Sequence, residues 1–269
     1  MEFETVLLDV SDGIATLTLN RPDALNAINM DLIRDVHSAV KHVNEDDSAR
    51  VLVITGAGRG FCSGADLTSS SAADPNDDGM STGERTEHRM RTGFNPMVQE
   101  IYDARVPVVM AVNGVAAGGD MGLALAGDIV IAARSAKFIQ VFVPNLGIIP
   151  DMGSTWHLPH LVGRARAMGL AMLGDRISAK QAQEWGLIWK CVDDETFMEE
   201  AMAVARQLRD GPTATYREVR MAFAHAEHAT LAEQLDYECE RQPHLTDAPN
   251  FTEGVTAFLE KRKPVFNKQ

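Results

Sequence analysis

Two short runs of small residues carry most of the chemistry this sequence can offer. The first is Gly60-Phe61-Cys62-Ser63-Gly64-Ala65-Asp66-Leu67, just after an apolar run that ends at Thr55. The second is Val112-Asn113-Gly114-Val115-Ala116-Ala117-Gly118-Gly119-Asp120-Met121-Gly122. Glycines let a ligand approach the backbone and leave main-chain N–H groups free to donate. Where such a run opens a helix, unpaired amides and the helix dipole favour an oxygen that is gaining negative charge. Taken alone, the first run reads more readily as an ordinary turn, and the second reads equally well as tight helix-on-sheet packing. A third candidate is Asp151, in Gly147-Ile148-Ile149-Pro150-Asp151-Met152-Gly153-Ser154. An aspartate there is either an acid/base or the N-cap of a following helix.

The elements that would position these residues follow from hydrophobic periodicity. Residues 5–10 and 14–19 are β-rich and flank Ser11-Asp12-Gly13, the pattern of a hairpin. After Asn29-Met30-Asp31, the positions Leu32, Ile33, Val36, Ala39, Val40 and Val43 recur at helical spacing. Continuous apolar runs at 51–55, 108–112 and 129–132 predict strands buried on both faces, with a helix over 121–126 between the last two. The polar stretch from Thr68 to Gly83 predicts a loop, and 84–105 a helix after it. Beyond Glu195 only helical patterns remain, at 197–208, 214–228, 231–242 and 253–261. The expectation is a largely parallel α/β core over 1–195 and a helical region over 196–269.

Composition narrows the function. A chain of 269 residues that is 45% apolar can bury a large core. Its net charge of −13 opposes a polyphosphate partner, so nucleic acid is not expected. Cys62, Cys191 and Cys239 are too few and too irregular for a disulfide framework or a zinc site. The acidic start has no basic-then-apolar leader, and no apolar run is long enough to span a bilayer, which predicts a cytoplasmic protein without membrane contact.

Four ordered stretches together resemble the crotonase, or enoyl-CoA hydratase/isomerase, superfamily over essentially the whole chain. They are Asn20-Arg21-Pro22-Asp23-Ala24-Leu25-Asn26-Ala27, the Ser-Gly-Ala-Asp-Leu run, the Asn-Gly-Val-Ala-Ala-Gly-Gly run, and Glu253-Gly254-Val255-Thr256-Ala257-Phe258-Leu259-Glu260-Lys261-Arg262. The resemblance implies a spiral ββα core with a C-terminal helical trimerisation region, assembled as a homotrimer or a dimer of trimers. It implies an acyl-CoA thioester as substrate, with CoA as its carrier portion and no separate metal or redox cofactor. The Ala65 and Gly119 amides then form an oxyanion hole, contributing about 3 kcal/mol each where the enolate charge gathers. Ala24, Leu25, Ala27, Ser63, Gly64, Asp66, Leu67, Val115, Gly118 and Phe142 would line the acyl-CoA site. Phe258 and Lys261 would meet the CoA of a neighbouring subunit.

Hydratases of this family use two glutamates, and this chain has Gly122 and the neighbourhood of Val143 where they would fall. What remains is Asp151, in a stretch similar to the ring-epoxyphenylacetyl-CoA isomerases, where this aspartate is the acid/base. One carboxylate suffices to move a proton between carbons. Phe142, Ile148 and Met152 would give it an apolar lining that raises its pKa. The 138–151 segment is one residue longer than in relatives, which displaces residues upstream of Leu146. Asp120 reads as a cap of the helix start, and Asp66 as a residue that orders its own loop. Open alternatives are a hydratase using Asp151 or Asp120, a hydrolase or dehalogenase with a nucleophilic aspartate, and a non-catalytic acyl-CoA-binding protein.

Overall fold

A computed structural model describes residues 3–66 and 79–266. Its centre is a six-stranded sheet in the order β1-β2-β3-β5-β7-β10. The strands are Val6–Ser11 (β1), Ile14–Leu19 (β2), Val51–Gly56 (β3), Val108–Val112 (β5), Ile129–Ala133 (β7) and Lys190–Val192 (β10). β1 and β2 form the expected antiparallel hairpin, and every later pairing in the sheet is parallel.

Every residue of β3 and β5 is buried, because helices cover both faces of the sheet. The period of two sends Leu52, Ile54, Val108, Met110 and Val112 to one side, where Leu32, Val36, Ala39, Val40 and Val43 of α1 (Met30–Glu45) join them. Val51, Val53, Val109, Ala111 and Ile131 go to the other side, against Phe197, Ala201 and Ala205 of α7 (Phe197–Arg209). Asn29 caps α1 by accepting from the Leu32 N–H at 2.9 Å.

A second sheet, β4-β6-β8-β9, lies beside the first. Its strands, Gly60–Cys62, Val115–Ala117, Lys137–Ile139 and Ile177–Ser178, are two or three residues long. Each of β3, β5 and β7 is followed by a strand that joins this second sheet, so successive turns of chain add one parallel strand to each layer. That is the ββα spiral. Periodicity does not reveal it, because a three-residue strand is too short to show alternation.

Helices differ from expectation in instructive places. The region expected as one helix over 84–105 is α2 (Thr82–Arg89), a π turn (Met90–Phe94) and α3 (Asn95–Tyr102). It begins earlier because Ser81 and Glu84 form a reciprocal capping box, which takes Thr82 and Gly83 out of the expected loop. Residues 67–78 of that loop lie outside the described residues. α4 (Gly119–Leu125), α5 (Ser154–Leu173) and α6 (Ala179–Glu184) complete the core. The tail then runs through α7, α8 (Thr213–Ala226), α9 (Leu231–Thr246) and α10 (Pro249–Glu260).

Asn26 locks the turns that leave β2 and β3. It is fully buried, its amide faces the carbonyls of Ala57 (3.0 Å), Gly60 (2.9 Å) and Phe61 (3.1 Å), and its oxygen accepts from the Arg21 N–H (2.8 Å). Its φ of 58° is a conformation that asparagine tolerates better than most residues. Asn26→Ala strands buried carbonyls and is expected to cost about 3 kcal/mol. Urea unfolding checks this as a lower midpoint at unchanged slope.

Candidate functional site

The turn at 21–28 and the turn at 62–66 make one ledge. The Ile28 N–H donates to the Gly64 carbonyl (2.9 Å) and the Asp66 N–H to the Ile28 carbonyl (2.8 Å), a parallel bridge centred on Ala65. Arg21 ties the same turns together, pairing with Asp66 at 2.8 Å and donating to the Ala27 carbonyl. Asp66 thus orders the loop, as its position suggested. Ala24 and Leu25 are half-buried on the ledge and Ala27 is buried; Ser63 Oγ reaches the Ala24 carbonyl at 3.4 Å. Leu67 lies outside the described residues.

The second glycine run meets this ledge from across the spiral. Gly64 adopts φ 108°, and a β-carbon on it would lie 3.5 Å from the Ala117 carbonyl oxygen. Val115 is half-buried on β6, and Gly118, at φ 63°, precedes the first turn of α4. Phe142 packs over Gly118: a β-carbon there would be 3.5 Å from its ring. Among the described residues, neither the Ala65 N–H nor the Gly119 N–H has a hydrogen-bond acceptor.

Asp151 sits directly against α4. A β-carbon on Gly119 would lie 2.8 Å from Asp151 Oδ1 and 2.5 Å from Met152 Sδ. The helix that follows is capped by Gly153, at φ 81°, with no side-chain cap, so the N-cap reading of Asp151 is overturned. Its Oδ1 is buried with no hydrogen-bond partner among the described residues. Burial pushes the carboxyl group up to about 6, a partial offset coming from a backbone N–H. Of the three residues expected to line it, Phe142 and Met152 are buried; Ile148 is 50% exposed and belongs to no such lining. The reason is the π turn over Phe142–Leu146, closed by Gly147 at φ 67°, which swings Ile148 outward.

Asp120 also departs from expectation. α4 has no side-chain cap; Gly118 is its N-cap, and Asp120 Oδ2 instead accepts from the Gly64 N–H. The residue is wholly buried. Burial lifts its carboxyl group to about 7, the nearby Cys62 thiol and the Gly64 N–H opposing the effect and the Asp151 charge adding to it.

At Gly122, where the resemblance implies a hydratase glutamate, the space is taken. A β-carbon there would run into the Met152 carbonyl and lie 2.7 Å from Ser154 Oγ. Val143, at the other expected position, is partly exposed on the π turn.

Comparison with known proteins now decides the family. The enoyl-CoA hydratase/isomerase family matches residues 9–269. The chain belongs to the enoyl-CoA hydratase/isomerase family. It is 48% identical to a 1,2-epoxyphenylacetyl-CoA isomerase of Escherichia coli over 266 residues, covering 99% of this chain and 98% of that one. It is 34% identical to a crotonyl-CoA hydratase of Syntrophomonas wolfei, covering 99% of each. The crystal structure of an enoyl-CoA hydratase from Bacillus anthracis superposes with a TM-score of 0.90 at 29% identity, over 99% of this chain and 100% of that one. The crotonase fold and an enzyme of this family are therefore established for the chain.

Within the family frame, Phe258 and Lys261 stand apart from the cluster. Both are exposed near the end of α10, Phe258 at 82%, and Phe258 faces a groove between α8, α9 and α10. Residue patterns alone missed Arg21, Asn26 and Gln140. Gln140 is wholly buried with its amide 3.4 Å from the Gly118 carbonyl. Each has a partner distant in sequence, the Asp66 carboxylate for Arg21 and main-chain carbonyls for Asn26 and Gln140, which leaves no periodic trace. Among the described residues no helix is long and apolar enough to cross a membrane.

Restoring a glutamate tests the blocked position. Gly122→Glu is expected to lose about 3 kcal/mol of stability by overpacking against the Met152 backbone. It is also expected to gain no hydration of crotonyl-CoA, read by denaturant unfolding and by loss of enoyl absorbance.

Proposed function

We propose that this enzyme isomerises an enoyl- or ring-epoxide acyl-CoA thioester, with Asp151 as the sole acid/base and the Ala65 and Gly119 amides holding the enolate oxygen. The observation that carries the reading is the placement of the Asp151 carboxyl group against Gly119, where the Gly122 position admits no glutamate. On a 3-enoyl-CoA, the Asp151 carboxylate takes a proton from C2, and the C–H electron pair moves into the thioester oxygen. The resulting dienolate collapses and takes the same proton back at C4, giving the 2-enoyl-CoA. The transfer is redox-neutral and needs no co-reactant; CoA stays attached throughout as the carrier of the substrate.

Electrostatics supports the role. A base works best when its pKa is near the working pH, and burial brings Asp151 to about 6. The two amides are free to donate as charge develops, each contributing about 3 kcal/mol. Similarity to an epoxyphenylacetyl-CoA isomerase favours isomerisation over hydration. A hydratase needs a second acid/base, and neither Gly122 nor Val143 supplies one.

The acyl-CoA core over 1–195 and a trimerisation region over 196–269 belong to the same proposal. Within the tail, α7 covers the sheet, which leaves α8 to α10 for assembly. Those helices expose Phe223, Leu231, Phe251, Phe258 and Leu259, and they border a groove of about 620 Å³. An apolar surface of this kind fits burial between subunits, and in this reading Phe258 and Lys261 meet the neighbour's CoA.

Two measurements test the reading. Asp151→Asn is expected to lower kcat for conversion of 3-enoyl-CoA to 2-enoyl-CoA by roughly a thousand-fold. In the wild type, kcat/KM is expected to fall as pH drops through about 6, where the base gains its proton. Turnover unchanged in Asp151→Asn, or crotonyl-CoA hydrated faster than 3-enoyl-CoA is isomerised, rejects it. Sedimentation is expected to give three or six chains per particle, and Leu259→Asp to shift that mass downward.

A further inference from the structure

Four buried polar atoms around the start of α4 have no hydrogen-bond partner among the described residues: Asp120 Oδ1, Asp151 Oδ1, Ser154 Oγ and Gln140 Oε1. Asp120 is the carboxylic acid among them that the proposed reaction leaves unused. At 0% exposed it cannot touch a substrate. Its place is nonetheless between the two amides. It follows Gly119 directly in the chain, and its Oδ2 accepts from the N–H of Gly64, the residue before Ala65. A carboxyl group buried with one oxygen bare is costly, and a residue serving the fold alone would avoid that cost.

We infer that Asp120 is a positioning residue for the Ala65 amide and that its proton gates the oxyanion site. Either charge state accepts from Gly64 and so aims the Ala65 N–H. Only the neutral acid leaves room for a second negative charge; the ionised form sets one beside the oxygen that must itself become anionic. The inference rests on the enolate chemistry proposed above.

The groups that face Asp120 agree with this. From β4 comes the Cys62 thiol, whose own ionisation is pushed up by burial and by the Asp120 charge. From the following turn comes the Gly64 N–H, and from the turn before α5 the Asp151 carboxyl group. No cation acts on Asp120 among the described residues. Like charges repel, so the Asp151 charge raises the proton affinity of Asp120 and links the two titrations. Burial lifts Asp151 to about 6 and Asp120 to about 7, and on this inference the base is ionised while the gate keeps its proton.

The test uses the full chain and the variants Asp120→Asn, Asp120→Ala and Asp151→Asn. Wild-type kcat/KM for 3-enoyl-CoA is expected to rise through about 6 and fall again through about 7. Asp120→Asn keeps an oxygen for Gly64 and cannot ionise, so it keeps the acid limb and loses the alkaline one. Asp120→Ala also loses the acceptor, and its kcat falls roughly ten-fold further as the Ala65 amide is released. An alkaline limb retained in Asp120→Asn overturns the gate, and equal kcat in Asp120→Ala and Asp120→Asn overturns the positioning. Infrared titration of the unliganded protein gives a readout that does not depend on turnover. A carboxyl group ionising near neutrality is expected in the wild type, absent in Asp120→Asn and moved to lower pH in Asp151→Asn. If no acyl-CoA is turned over, the proposed function fails, while the absence of that titrating group overturns the present inference by itself.

Discussion

The Asp151-Met152 turn is seated on the first turn of α4 so closely that the helix can present only α-carbons there. Gly119 and Gly122 are the two points of contact, facing Asp151 Oδ1, Met152 Sδ, the Met152 carbonyl and Ser154 Oγ. That approach brings a carboxyl group to the Gly119 amide and removes the space in which a second one could stand at position 122. The ledge at 21–28 and 62–66 then presents Ala65 to the same helix start, held by Asn26, Arg21 and Asp120. Loosening the contact at α4 would move Asp151, the Gly119 amide and the packing of Phe142 over Gly118 together.

The same burial that brings the carboxyl groups into place makes them costly. Asp120 and Asp151 both hold their protons more tightly in the folded chain than in an unfolded one. Their contribution to stability is therefore fully present below the ordinary aspartate range, near 4, and is lost as pH rises through about 6 and about 7. Near and above neutrality the fold carries this pair at a cost offset by the large apolar core, in which β3 and β5 are buried throughout. Stored electrostatic strain of this kind is common where a site must hold a base ready in a dry environment.

The tail answers a different constraint. α7 is core by packing, since Phe197, Ala201 and Ala205 close the outer face of the sheet. α8 to α10 contribute one residue each or none to the buried set, and they carry a series of exposed large apolar side chains. Helices so apolar outside and so little buried within their own chain fit the assembly role proposed for them.

Local pattern by itself determined the hairpin, the buried parallel strands, the stripe of α1, the helical tail and the two glycine runs, because each is written within a few consecutive residues. Equally plain are Gly122 and Val143 at the positions where the resemblance implies glutamates, which leaves Asp151 as the acid of that segment. Tertiary structure decided what those residues face. Whether Asp151 capped a helix or bordered Gly119 depended on Gly153 taking the cap, and the exposure of Ile148 depended on a π turn that absorbs one residue. The Gly64 N–H that Asp120 accepts from lies 56 residues away, and the carbonyls that the Asn26 amide faces lie 31 to 35 away. Such contacts form only when the spiral closes, so no local spacing encodes them; the second sheet leaves no periodic trace either, because its strands are too short to alternate.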